Sequence, residues 1–126
     1  MKKDILTRED IDVIVKSFYD KLLVNPLLSP IFTDVAKIDL EKHLPLIADF
    51  WAFLLMNQEG IYSRNVMSPH LSLAKKTTME KAQFDEWLKL WCETIDELHE
   101  GEKAEDAKYR AGNIALMMQH KIKYMI

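Results

Sequence analysis

Met67-Ser68-Pro69-His70-Leu71-Ser72-Leu73 is the stretch around which this chain is organised. Ser68 is a good N-cap, and Pro69 would stand at the first helical position, where its missing N–H costs nothing. The stretch therefore predicts a short helix with His70 in its first turn and its leucines towards the core. A histidine held in this way can bind a metal through one ring nitrogen while the other bonds a carbonyl or carboxylate. Taken alone, it is more often a surface or capping histidine.

The composition is typical of one ordinary globular domain, which we expect to cover residues 1–126. The chain is 48% hydrophobic and 29% charged, and its net charge of −3 argues against a dominant nucleic-acid surface. Its longest apolar run, residues 50–56, is far shorter than the about 20 residues of a membrane span, and the first residues lack the apolar run of a signal peptide. A single cysteine, Cys92, cannot form an internal disulfide and suits a reducing compartment. We therefore expect a cytoplasmic protein.

The spacing of apolar residues predicts four long helices and no strand, so the expected fold class is all-α. Capping and stop residues give the helix bounds. They are Thr7 and Asn25-Pro26 for the first helix, Asp39 for the start of the second, Thr77 and Gly101 for the third, and about residues 102 to 124 for the last.

Three side chains with a polar group, Tyr19, His43 and Trp87, fall on or beside the apolar faces of these helices. Buried polar groups need partners, so a plain bundle does not account for them and they suggest a pocket. Pro45 is expected either to delay the second helix to about Leu44 or to distort its first turn. Both alternatives leave His43 in a less rigid place than the middle of a helix.

Several familiar catalytic motifs are absent from the sequence. It has no glycine-rich phosphate loop, no G-x-S-x-G, no paired cysteines of a zinc site and no H-E-x-x-H. Its four histidines are too far apart in sequence for a short-range metal cluster. His99 and His120 are interpreted as solvated or helix-terminal residues, and Cys92 as a half-buried, inert thiol.

The order and spacing of the aromatic residues and histidines resemble the truncated haemoglobins, and group III of that family gives the best match. The similarity runs from about residue 11 to residue 122. The resemblance implies the family's fold, a two-over-two helical sandwich around haem. The residues that carry it are Phe18-Tyr19, Phe32, His43 followed by Phe50-Trp51, His70, and Phe84-x-x-Trp87-Leu88.

The same resemblance implies protohaem IX with its iron as the cofactor, His70 as the iron ligand, and no separate catalytic residue. Arg64, Lys75 and Lys76 are candidate partners for the haem propionates, with a solvated role for each equally open. The other implied haem-pocket residues are Tyr19 and Trp87 as hydrogen-bond donors to the iron-bound ligand, His43 at the distal helix position that can gate the pocket, Ile47 on the distal side, and Phe32 against the haem face.

The function implied by the resemblance is reversible binding of dioxygen, nitric oxide and carbon monoxide. Two hydrogen bonds of about 1.5–3 kcal/mol each would slow dioxygen release, which suits nitric oxide detoxification or a peroxidase-like reaction fed by a reductase. We expect no nucleic-acid or membrane partner, and a monomer or weak dimer. Two alternatives stay open: a globin-fold interaction or regulatory module without haem, and an unrelated helical bundle with an aromatic core. Whether the protein is an enzyme, and whether its resting iron is five- or six-coordinate, also stay open.

Overall fold

A computed structural model of the chain describes residues 2–30, 40–56 and 81–125, with the side chains of residue 40 and of residues beyond 119 left out. These residues form four helices: α1, Arg8–Leu22; α2, Leu40–Met56; α3, Lys81–Leu98; and α4, Glu102–Met125. They contain no strand, which confirms the predicted all-α class. None of the described helices combines the length and the apolar character that crossing a membrane requires.

Helix α1 begins where the sequence predicts. The Thr7 side chain accepts a hydrogen bond from the backbone N–H of Asp10 at 3.1 Å, and the Asp10 carboxylate accepts one from the backbone N–H of Thr7 at 3.0 Å. This reciprocal pair is a capping box, which satisfies backbone donors that a helix start leaves without partners. The helix ends at Leu22, shortly before the predicted stop at Asn25-Pro26.

Helix α2 continues through Pro45 without a break. It begins at Leu40, so the alternative of a start near Leu44 is wrong. Arg8 of α1 contacts this part of the helix, where one of its guanidinium N–H groups donates to the carbonyl oxygen of Pro45 at 3.4 Å. The same guanidinium forms a 2.7 Å ion pair with Asp49, one turn further along. Arg8 therefore ties the start of α1 to the first half of α2.

The four helices form two pairs, α1 with α2 and α3 with α4, and α1 also packs against α3. Trp91 of α3 lies where the pairs meet. Its ring stacks on Trp51 of α2, with centroids 4.5 Å apart, and meets Phe18 of α1 edge-on at 5.2 Å. Its indole N–H donates to the carbonyl oxygen of Ala107 in α4 at 3.2 Å. One buried side chain of α3 therefore contacts the other three helices. The predicted two-over-two arrangement is confirmed.

Helix α4 packs through a face of small residues, and alanines let the backbone of a neighbouring helix come close. Ile114, near this face, is partly buried. The buried residues of this face are Ala104, Ala107, Ala111, Ala115 and Met118.

The residues before α1 cap the start of α4. Both oxygens of the Asp4 carboxylate accept backbone N–H groups of that helix, from Lys103 and Ala104, each at 2.9 Å. Partial burial on its own would raise the pKa of Asp4, but the backbone N–H donors outweigh it and hold the pKa below its ordinary value. Gly101, the predicted stop of α3, has a φ of +142°. A Cβ there would lie 2.6 Å from Cγ of Asp4, so only glycine fits this corner.

The backbone of this N-terminal segment is also held at the end of α3. The carbonyl oxygen of Lys3 accepts the backbone N–H of Glu100 at 3.1 Å and lies 3.0 Å from Nδ1 of His99. Because a carbonyl can only accept, Nδ1 of His99 carries a proton. His99 is thus helix-terminal, as predicted, and half-buried.

Candidate ligand-binding site

Tyr19 and His43 meet between α1 and α2. The Tyr19 side chain is buried, with 5% of its surface exposed, although its hydroxyl is polar. That hydroxyl shares a 2.8 Å hydrogen bond with Nε2 of His43, and the two rings stand edge to face at 5.2 Å. His43 reaches Tyr19 from the first turn of α2, the turn just before Pro45. The two polar groups that the sequence places on apolar faces are therefore partners.

The tautomer of His43 decides what the Tyr19 hydroxyl can do next. If the imidazole proton is on Nδ1, then Nε2 accepts the phenol proton, and the phenol oxygen offers only lone pairs to a third group. If the proton is on Nε2, His43 donates to the phenol oxygen, and the phenol O–H can donate to a third group. His43 thus controls the direction of the hydrogen bond that Tyr19 offers.

The Tyr19 phenol stays protonated in either case. Burial raises its pKa well above the ordinary value for tyrosine, because the phenolate would lose its hydration. Tyr19 is therefore a neutral O–H group at physiological pH, suited to hydrogen bonding and not to accepting a proton as a base.

Trp87 approaches the same region from α3. It meets Phe18 edge-on, with ring centroids 6.0 Å apart, and Phe18 in turn meets Tyr19 at 5.4 Å. Trp87 is only partly buried, and no hydrogen bond joins its indole N–H to another described residue. An indole N–H can only donate, so Trp87 is a second donor, linked to Tyr19 through the ring of Phe18.

An apolar wall continues from these polar groups along α2. Ile47 lies one turn after His43 and is half-buried, packed against the core. Leu44, Phe50 and Leu54 share this intermediate burial. Large apolar side chains left partly uncovered beside buried hydrogen-bonding groups are typical of a site for a mainly apolar ligand with a few polar contacts.

Comparison with known proteins agrees with this architecture. No protein-family model matches the chain. The chain is 28% identical over 125 residues to a group 3 truncated hemoglobin of Campylobacter jejuni, a match that covers 97% of this chain and 95% of the relative. The crystal structure of a group III truncated hemoglobin from Campylobacter jejuni superposes with a TM-score of 0.82, at 28% identity and with the same shares of the two chains. The chain has a truncated globin fold and is similar to group III truncated hemoglobins. The predicted resemblance is therefore confirmed.

Within this fold, the structure brings four of the predicted site residues to one region: Tyr19 and His43 in direct contact, Trp87 linked to Tyr19 through Phe18, and Ile47 on the adjoining turn of α2. Their roles towards a ligand stay predictions. The predicted iron ligand His70 lies outside the described residues. So do Phe32 and the candidate propionate partners Arg64, Lys75 and Lys76.

Two features of the candidate site were missed by sequence reasoning. The first is the direct bond from Tyr19 to His43, which were both singled out but not as a pair. The second is Arg8, whose contacts with Pro45 and Asp49 hold the turn that carries His43. The only sequence signal for these contacts is a charged residue at the start of one helix and a proline inside the next. That signal does not show which residues Arg8 contacts. Cys92 is half-buried and its pKa is raised by that burial, as expected of an inert thiol.

Proposed function

We propose that this truncated globin binds protohaem IX and takes dioxygen, nitric oxide or carbon monoxide at the haem iron. The observation that carries the proposal is the part-buried Tyr19–His43 hydrogen bond, with Trp87 linked to Tyr19 through Phe18. A few polar groups at the edge of an apolar wall are typical of a site that fixes the orientation of a mainly apolar ligand. The Campylobacter jejuni relative is a truncated hemoglobin, which supports the same ligand class.

The residues present fit haem. No group of three or more metal-ligating side chains lies within the described residues, but the iron of a porphyrin needs only one axial ligand from the protein, here predicted to be His70. The partly covered side chains of Ile47, Phe50 and Leu54 on α2 offer an apolar surface for a porphyrin face. Tyr19 and Trp87 offer neutral donors, which suit a small ligand that gains partial negative charge on binding.

Haem would supply an iron that holds a diatomic ligand, and the protein would control how strongly that ligand is held. Tyr19 would donate its phenol O–H, which its raised pKa keeps in place. Trp87 would donate its indole N–H. His43 would set the direction of the Tyr19 hydrogen bond through its tautomer, and Ile47 would exclude water from the distal side.

A protein that holds its ligand strongly releases it slowly. Slow release suits a reaction of the bound ligand and does not suit oxygen transport. We therefore include nitric oxide detoxification or peroxidase-like redox activity in the proposal, with electrons from a reductase. A cytoplasmic location belongs to the same proposal, because the single thiol Cys92 suits a reducing compartment.

The test is an absorption spectrum of the purified, haem-reconstituted protein in its ferric and ferrous forms. We expect a strong Soret band that collapses or shifts in His70→Ala. His99→Ala is the matched control: His99 lies at the corner between α3 and α4, so its loss should leave the band unchanged. A native chain that retains no haem would overturn the proposal and favour an interaction module with a globin fold.

A further inference from the structure

Arg8, the first residue of α1, uses all three nitrogens of its guanidinium at once. Within α1, its Nε forms a 3.0 Å ion pair with Asp12. Towards α2, its Nη1 forms a 2.7 Å ion pair with Asp49, and its Nη2 donates to the carbonyl oxygen of Pro45 at 3.4 Å. A planar guanidinium can serve three acceptors in fixed directions, whereas a lysine has a single nitrogen. Asp12 therefore orients a group that contacts α2 at two points one turn apart.

The segment of α2 that Arg8 contacts follows directly on the turn that carries His43. Pro45 has no backbone N–H, so it cannot donate the helix hydrogen bond to the carbonyl oxygen four residues earlier. The first turn of α2 is therefore joined to the rest of the helix by one hydrogen bond fewer than an ordinary turn. A contact from α1 at Pro45 and Asp49 lies where it can fix the direction of this turn.

The contacts of Arg8 and the Tyr19–His43 hydrogen bond lie towards opposite ends of α1. The eleven residues from position 8 to position 19 span about 16 Å of helix, whereas the contacted part of α2, from position 43 to position 49, spans about 9 Å. Two polar contacts this far apart constrain the angle at which α2 crosses α1 more than either contact would alone. The Tyr19–His43 bond of 2.8 Å depends on that angle, because a separation of about 3.6 Å is no longer a hydrogen bond.

We propose that Arg8 is a positioning residue for His43, and that its contacts with α2 keep the imidazole at hydrogen-bond distance from the Tyr19 hydroxyl. Without Arg8, the carboxylates of Asp12 and Asp49 would lie near each other with no cation between them, and like charges repel. The start of α2 would then move away from α1, and His43 would move with it. The consequence for a bound ligand rests on the proposed function, but the placement of His43 does not.

A double-mutant cycle of Tyr19→Phe and His43→Leu, measured by urea unfolding in two backgrounds, tests the positioning. The coupling between these residues should change the unfolding equilibrium constant by about fivefold in the native background and by less than about twofold in Arg8→Met. A merely structural contribution of Arg8 would lower the stability of all four proteins equally and leave the coupling unchanged. Arg110→Met is the matched control and should keep the full coupling, because Arg110 pairs with Asp106 inside α4.

Three results of the unfolding cycle would overturn the proposal. They are an undiminished coupling in Arg8→Met, a coupling absent from the native background, and an equal loss of coupling in Arg110→Met. Arg8→Lys provides a milder variant: it keeps a cation between the two aspartates but has one nitrogen in place of three, so its coupling should lie between those of the native and Arg8→Met backgrounds. A coupling in Arg8→Lys as low as in Arg8→Met would support the need for all three nitrogens.

The dioxygen dissociation rate of the haem-bound protein tests whether Arg8 acts through His43. Arg8→Met should change this rate in the same direction as His43→Leu, and by less than about twofold once residue 43 is already leucine. An effect of Arg8→Met that persists at full size in the His43→Leu background would mean that Arg8 acts by another route, and would overturn the proposal. A chain that binds no haem would overturn the proposed function alone, because the unfolding cycle reports on His43 with or without haem.

Discussion

Removal of the Tyr19 hydroxyl tests the candidate site most directly. Tyr19→Phe deletes one oxygen from a side chain that is 5% exposed and bonded to His43 at 2.8 Å. A neutral hydrogen bond contributes about 0.5–1.5 kcal/mol net, and a partly buried imidazole nitrogen left without this partner adds to the loss. We expect the free energy of unfolding to fall by about 1–2 kcal/mol. Tyr109→Phe, at a 70% exposed tyrosine, should change it by less than about 0.5 kcal/mol.

A double-mutant cycle assigns this loss to the pair. Urea unfolding of the native protein, Tyr19→Phe, His43→Leu and the double variant gives the coupling free energy, which should be about 1 kcal/mol. Two independent residues would give losses that add within about 0.3–0.5 kcal/mol. A coupling inside that range would refute the argument that the hydrogen bond stabilises the junction of α1 and α2.

The same four proteins test the functional role once they hold haem. A hydrogen bond to a charged group contributes about 1.5–3 kcal/mol, so Tyr19→Phe should raise the dioxygen dissociation rate about tenfold or more. His43 is argued to act through Tyr19, so His43→Leu should change the rate by less than about twofold in the Tyr19→Phe background. Stopped-flow displacement of dioxygen measures these rates. An unchanged rate in Tyr19→Phe would remove Tyr19 from the mechanism. If His43→Leu changes the rate as much in the Tyr19→Phe background as in the native protein, His43 acts on the ligand directly.

Two further predictions concern the scaffold. Asp4→Asn should lower the free energy of unfolding by about 1–2 kcal/mol at pH 7, since it removes the carboxylate that caps α4. The folded pKa of Asp4 is lowered, so its contribution is complete above the unfolded pKa of about 4 and is lost as the pH falls through the folded pKa. Urea unfolding at several pH values should show that the difference in the free energy of unfolding between Asp4→Asn and the native protein shrinks in acid. A difference that does not change with pH would contradict this. So would a similar loss of stability in Asp20→Asn. Trp91→Phe should cost about 1–2 kcal/mol, because it removes the indole hydrogen bond to the carbonyl of Ala107 and part of a stacked ring. A loss below about 0.5 kcal/mol in thermal unfolding would show that these two contacts contribute little to stability.

The helices could be predicted because their signals are local. An N-cap at Thr7, a glycine at position 101 and apolar residues at helical spacing act within a few residues of the chain, and the structure has each of them. Pro45 shows the limit of local reasoning. A proline in the interior of an isolated helix lowers the stability of that helix by about 3 kcal/mol. Here Arg8 of α1 contacts the proline-containing segment, and α2 starts at Leu40.

The candidate site could be predicted only in part, for the same reason. Residue type and burial single out Tyr19, His43 and Trp87, since each brings a polar group to an apolar face. The hydrogen bonds among these residues depend on how α1, α2 and α3 cross. The sequence of a single helix does not determine that crossing. The cap of α4 by Asp4 is even harder to predict, because the carboxylate and the backbone N–H groups that it accepts are about a hundred residues apart. Nothing in the sequence around Asp4, before the first helix, indicates this contact.

The core and the candidate site of this fold are joined by two consecutive residues of α1. Successive residues of a helix point about 100° apart, so Phe18 and Tyr19 have different neighbours. Phe18 meets Trp91, the residue of α3 that contacts the other three helices, and it also meets Trp87. Tyr19 meets His43. Because rings that pack edge to face have few alternative arrangements, the positions of both candidate donors follow from the packing of the core. Rigid placement of hydrogen-bond donors is what a site needs to hold a small ligand strongly, since a donor that is already oriented loses little freedom when the ligand binds.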